Sequence, residues 1–191
     1  MENRDVRQVT DSRVLAAMSH PLRRRLMDVL KVHGPSTVGL LADRTDQAPA
    51  NVSHHLKVLA AADLVTEAPE LARDRRERWW QLVTRAVRWS NTDFDADPAA
   101  RAVADAATSL NLDRHVALAR AWHAADESAQ AAWADGPFST DRWLHLTPEE
   151  LAELSREIID LLARWGDRAV PDDGAERQPV FVFAYGVPAR P

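Results

Sequence analysis

Residues 49–65 read PANVSHHLKVLAAADLV, and the pattern within them decides the fold. Val52, Leu56 and Leu59 fall at i, i+4 and i+7, which places them on one stripe of an α-helix. Asn51, Ser53, His54 and Lys57 fall off that stripe. A helix with a buried seam and a face of short polar donors has the shape and chemistry to enter a DNA major groove. Asparagine pairs there with adenine, lysine with guanine, and serine or histidine with bases or phosphates. Pro49 suits the first helical position, where its missing N–H has no intrahelical partner to lose. Taken alone the pattern equally describes an ordinary surface helix, and the flanking sequence separates the two.

Upstream, Ser36 or Thr37 caps a short helix, TVGLLADRT, that buries Val38 and Leu41. A brief turn over residues 46–48 leads into the polar-faced helix. Two short helices joined by a tight turn, the second carrying the polar face, form a helix-turn-helix. Asp63 occupies the place after the second helix where glycine or asparagine often sits. Downstream, residues 64–68 and 78–83 (RWWQLV) read as short strands. Between them PELARDRRE carries Arg73, Arg75 and Arg76, and Arg78 opens the second strand. Two strands around a basic loop make a β-hairpin wing, whose arginines can neutralise phosphates or reach into the adjacent minor groove.

Residues 1–10 are polar and expected to fray. A first helix starts after Thr10 or Asp11 and carries Val14, Leu15 and Met18. His20 and Pro21 break it, because the residue before a proline avoids the helical region. Pro21 opens a second helix with Leu22, Leu26, Val29 and Leu30 at i, i+4, i+7 and i+8. Arg23, Arg24 and Arg25 near its start read as solvated charges or as phosphate contacts. Gly34 and Pro35 end it.

These residues resemble a known family. LAAMSHPLRRRLMDVL, then TVGLLADRTDQAPANVSHHLKVLAAADLV, then EAPELARDRRERWWQLV look like an ArsR-type winged helix-turn-helix repressor domain. The most specific pieces are HPLR at residues 20–23 and SHHLKVL at residues 53–59, followed by DLV at 63–65. The resemblance covers roughly residues 10–85. It implies a homodimeric, DNA-binding transcriptional regulator, often released from its operator by a ligand or metal. By similarity Asn51, Ser53, His54 and Lys57 face the groove, the wing arginines hold the backbone, and His55 lies between groove and core. The chain departs from thiolate metal sensors of that family in having no cysteine.

The 191 residues allow one or two domains, and 46% apolar with 28% charged content is that of an ordinary globular chain. No apolar run reaches the length of a membrane span, and the first residues are too polar for a signal peptide, so the expected location is the cytoplasm, with no membrane partner. The net charge of −5 hides a split. Residues 1–90 carry 15 Lys and Arg against 11 Asp and Glu; residues 91–191 carry 9 against 18. Only the basic first half is suited to approach a polyanion.

Residues 90–98, SNTDFDADP, form an acidic linker and a domain boundary. Residues 99–134 are alanine-rich without proline or glycine. They form one helix of about 50 Å or two helices with a kink near residues 109–113. A helix so long cannot bury its seam against a winged helix alone, and pairing with a second subunit is the economical answer. Residues 142–146, RWLHL, read as a strand. Thr147, Pro148 and Glu150 start a helix carrying Leu151, Leu154, Ile158, Leu161, Leu162 and Trp165. Residues 171–178 form a loop, and residues 180–186, VFVFAYG, read as a buried strand.

Asp113 with His115, and His123 with Asp126, are a candidate metal set, since imidazole and carboxylate suit zinc. The pairs are closely spaced and lie some thirty residues past the wing, so no metal ligand and no cofactor is assigned. No glycine-rich phosphate loop, nucleophile elbow or Cys/His pair is present, and no catalytic residue is assigned: the chain is not read as an enzyme. The seven tryptophans serve as core, as a dimer interface or as a ligand-pocket lining.

The expected fold is mainly α with a small β component. A winged helix-turn-helix domain spans residues 1–90. A helical domain containing a strand-helix-strand unit spans residues 98–191 and serves dimerisation and, further, effector binding. The expected function is sequence-specific binding of double-stranded DNA by a ligand-responsive homodimeric transcriptional regulator on a palindromic operator, with repressor and activator roles both open. A winged-helix protein-interaction module without DNA binding, and a His/Asp metal sensor, are the alternatives.

Overall fold

The computed structural model describes residues 6–74, 77–134 and 136–190. It divides into two compact units, residues 1–114 and 115–191, and the division falls within a helix.

The first unit begins with β1 (Val6–Gln8), followed by α1 (Ser12–Met18) and α2 (Pro21–His33). The Asp11 carboxylate caps α1 by accepting from the Arg13 N–H at 2.9 Å. The His20 imidazole caps α2, with Nδ1 accepting from the Leu22 N–H at 3.2 Å. Gly34, at φ +71°, ends α2 in a conformation that a side chain would strain. β2 (Ser36–Thr37) leads into α3 (Val38–Thr45), capped by the Thr37 hydroxyl, and then α4 (Pro49–Ala61). β3 (Val65–Glu67), β4 (Trp79–Leu82) and β5 (Ala86–Arg88) follow. Two sheets result. β4 lies between β2 and β3, antiparallel to both, and β1 runs parallel to β5.

Leu15, Leu26, Leu41, Val52, Leu56 and Leu59 are fully buried where α1, α2, α3 and α4 meet. Trp80 closes the core from the β2–β4–β3 sheet. α5 (Pro98–His123) contributes Ala104 and Ala107 to the same cluster. Arg114, on α5, reaches Asp28 of α2 with its Nε at 2.9 Å, and Arg24 bonds Asn111.

Three expectations meet different structure here. Residues 6–8 are not frayed: pairing with β5 satisfies their backbone, and Val9 beside them is buried. Residues 91–94 form a single 3-10 turn that delivers Phe94, 4% exposed, into the core. An acidic, proline-ended segment looks like a spacer by composition, but one buried aromatic ring outweighs the polar residues around it. The alanine-rich stretch runs unbroken through residues 109–113. It stops after His123 and resumes as α6 (Glu127–Ala131), where the Asp126 carboxylate caps a new helix start. A capping residue, and not a shift of the apolar seam, sets the break.

The second unit holds the end of α5, α6 and α7 (Pro148–Asp167). Thr147 and Glu150 form a reciprocal capping box at the start of α7. Among the described residues the strand-helix-strand unit is not formed. The helix is present, but residues 142–146 and 180–186 take no strand pairing among the described residues. Their β-branched and aromatic content favours an extended chain, yet a strand also needs a neighbouring edge. Gly186 instead lies near the start of α7, with the Leu151 side chain 3.5 Å from where a Cβ on Gly186 would stand. Phe181 and Phe183 pack against each other and against the His115 ring, each with its centroid 5.2 Å from it. No helix among the described residues is long and apolar enough to cross a membrane.

Phe94→Ala is expected to lower unfolding stability by about 3–5 kcal/mol, the cost of emptying a buried aromatic site. Urea denaturation reads it, and an unchanged midpoint would mean that residues 90–98 are a spacer after all.

Candidate nucleic-acid interface

The site is built on the α3–α4 corner. Thr45 ends α3 by turning its hydroxyl back to the Leu41 carbonyl at 2.6 Å, fully buried. Asp46 then adopts the left-handed conformation, φ 54° and ψ 51°, and its N–H meets the carbonyls of Ala42 and Asp43. The Gln47 N–H also reaches the Ala42 carbonyl, at 3.0 Å. These bonds satisfy the open end of α3 and reverse the chain in three residues. Ala48 is the cap of α4 and offers no side-chain acceptor, so the N–H groups of Asn51 and Val52 turn to its carbonyl.

α4 is sharply two-faced. Val52, His55, Leu56 and Leu59 are buried at i, i+3, i+4 and i+7. Asn51, His54 and Lys57 are exposed and Ser53 is half-buried. The four residues expected at the groove therefore share the accessible side of one rigid helix. His55 belongs to the core, 8% exposed. The Asn51 amide is not idle: Nδ2 donates to Gln47 Oε1 at 2.9 Å, and the Gln47 Nε2 donates in turn to the Asp46 carbonyl. Gln47 thus orients the asparagine. Its position four residues earlier was a readable signal, but the turn between them hid the pairing.

The wing forms from β3 and β4, joined by a single 3-10 turn at Pro69–Leu71 and the basic loop. Arg73 is exposed, and its backbone N–H donates to the Glu77 carboxylate at 2.9 Å. That bond, ahead of other causes, holds the Glu77 carboxyl below the usual carboxylate range. Arg78 is exposed and stands 3.4 Å from Glu67 across the hairpin, a surface pair worth little in stability. Arg75 and Arg76 lie outside the described residues.

Each of the three arginines opening α2 makes a contact within the first unit. Arg23 donates to the Ala16 and Ala17 carbonyls at the end of α1, Arg24 bonds Asn111, and Arg25 reaches the Arg44 carbonyl at 3.3 Å. They close helix ends and tie α1, α3 and α5 to α2.

Of the metal set, His115 packs against two adjacent phenylalanine rings and Asp126 accepts from the Ser128 hydroxyl and the Ala129 N–H. Among the described residues no group of three or more His, Asp or Glu side chains is placed to hold a metal ion. Trp143 and Trp165, two of the tryptophans considered as core, are 63% and 61% exposed.

A family model described as a helix-turn-helix domain matches residues 18–68. That span holds α2, β2, α3, α4 and β3, so the matched helix-turn-helix domain includes the first strand of the β3–β4 hairpin. The transcriptional repressor SdpR of Bacillus subtilis (strain 168) is 35% identical over 54 residues, 28% of this chain. The chain spans 59% of the length of that relative.

Asp46→Gly is expected to raise stability by about 0.5–1 kcal/mol, because glycine takes the left-handed conformation without steric cost. Thermal unfolding reads it, and a loss of stability would place a needed contact on the Asp46 side chain.

Proposed function

We propose that the chain is a sequence-specific DNA-binding transcriptional regulator of the ArsR type. It acts as a homodimer on a palindromic operator, and a small-molecule effector acting through the second unit modulates it. One observation carries this reading: α4 buries its whole apolar stripe and leaves Asn51, His54 and Lys57 open, with Ser53 beside them, in a matched helix-turn-helix domain. The repressor relative supports the same class. In the dimer two copies of α4 enter successive major grooves about 34 Å apart. Asn51, held by Gln47, reads an adenine; Lys57 reads a guanine; Ser53 and His54 add contacts to bases or phosphates. Arg73 and Arg78, with Arg75 and Arg76, take the phosphates beside the groove and supply salt-dependent affinity.

Selection from random duplex DNA tests the reading. Enrichment of a short inverted repeat supports it. No enrichment at low salt favours a winged-helix module that binds protein instead, which the acidic residues 91–191 keep as the second reading.

On the enriched duplex, Asn51→Ala is expected to cost about 1–3 kcal/mol and to relax preference at one base pair. Arg73→Ala is expected to weaken binding to every sequence alike and to reduce the slope of log K against log salt by about 1. Titrations at several salt concentrations separate the two effects, and identical behaviour of both variants contradicts the division of labour between helix and wing.

A further inference from the structure

His20 and His55 come from different elements and meet as tilted rings 4.4 Å apart between centroids. His20 stands at the corner between α1 and α2; His55 is on the buried face of α4. Each ring carries a constraint on its proton. His20 Nδ1 accepts the Leu22 N–H, so it must be unprotonated for α2 to be capped. His55 Nδ1 is buried and has no hydrogen-bond partner among the described residues, so a proton placed there gains nothing in exchange for lost water.

The surrounding charges all act in one direction. Arg23 from the first turn of α2 opposes protonation of both rings, and His54 opposes it at His55. Elsewhere on α2, Arg24 is engaged with Asn111, Arg25 with the Arg44 carbonyl and Asp28 with Arg114. On α1, Arg13 is held by Asp11. On α4, Lys57 points to the exposed side. Burial first, then Arg23, pushes His20 below the ordinary histidine range; burial first, then His20, Arg23 and His54, does the same to His55.

We propose that this pair is an acid-sensitive latch between the α1–α2 corner and α4. Protonation of His20 removes the cap of α2, and protonation of both rings sets two positive charges against each other where that corner meets the buried side of the polar-faced helix. The corner then opens and α4 loses its seat. Because the folded state resists protons that the unfolded chain accepts at about pH 6.5, stability is full above that pH. It is lost as pH falls below it, well before most carboxylates titrate.

The test follows both imidazoles of the full chain by NMR and, in parallel, the urea unfolding midpoint from about pH 7.5 to 5.5. Wild type is compared with His20→Asn, which keeps a capping acceptor that does not titrate, with His55→Phe, and with the double variant. The expected result is titration of both rings below the values they take in urea. With it comes a fall in the wild-type folding constant of up to about tenfold per ring per pH unit. The double variant is expected to lose that fall. Ring titrations at or above the unfolded values overturn the proposal, and so does an equally steep fall in a folded double variant. The titration needs no variant, so a substitution that fails to fold leaves the test intact. No DNA enters the measurement, so its failure is distinct from failure of the regulator reading.

Discussion

The burial of one face of α4 is the constraint on which the remaining structure depends. Val52, Leu56 and Leu59 reach zero exposure only because α1, α2 and α3 close around them. A helix cannot bury one face without presenting the other, since the 3.6-residue period places Asn51, His54 and Lys57 roughly opposite. The accessible polar face is thus a by-product of packing. It needs no flexible loop to hold it, and a recognition surface built on a packed helix loses little freedom when it binds.

Smaller contacts serve that packing. The Thr45 hydroxyl and the left-handed Asp46 allow α3 to end abruptly, which fixes the angle at which α4 leaves. Gln47 then passes the geometry of the turn to Asn51. Arginines that look like surface charge by sequence close the ends of α1 and α4 instead: Arg23 on the Ala16 and Ala17 carbonyls, Arg7 on those of Ala62 and Asp63. A guanidinium has donors enough to satisfy two terminal carbonyls at once, which a glycine cap does through backbone alone.

How far the fold was legible depended on whether its cause was local. The α3–α4 corner, the cap at Thr37 and the positive φ of Asp63 follow from neighbours within a few residues, and periodicity and turn chemistry expose them. The pairing of β1 with β5 joins residues some eighty positions apart, and nothing in VRQ announces a partner. The burial of Phe94 is hidden in another way, because composition averages over a segment whereas burial is decided by one ring. At residues 180–186 the error ran the other way: apolar, β-branched residues describe an extended chain, but a ladder also requires an edge elsewhere. At the candidate site the residue types were readable, while the Asn51–Gln47 bond and the Arg78–Glu67 pair required three-dimensional proximity.

Arg7 gives the first unit a mechanical property. Its guanidinium grips the Asp63 carbonyl at 2.6 Å, just past α4, while its own strand β1 is laddered onto β5. β5 runs on through the turn that buries Phe94 and into α5. The start of α5 is therefore joined to the tail of α4 through β5 and β1, by a tether of hydrogen bonds outside the β3–β4 hairpin.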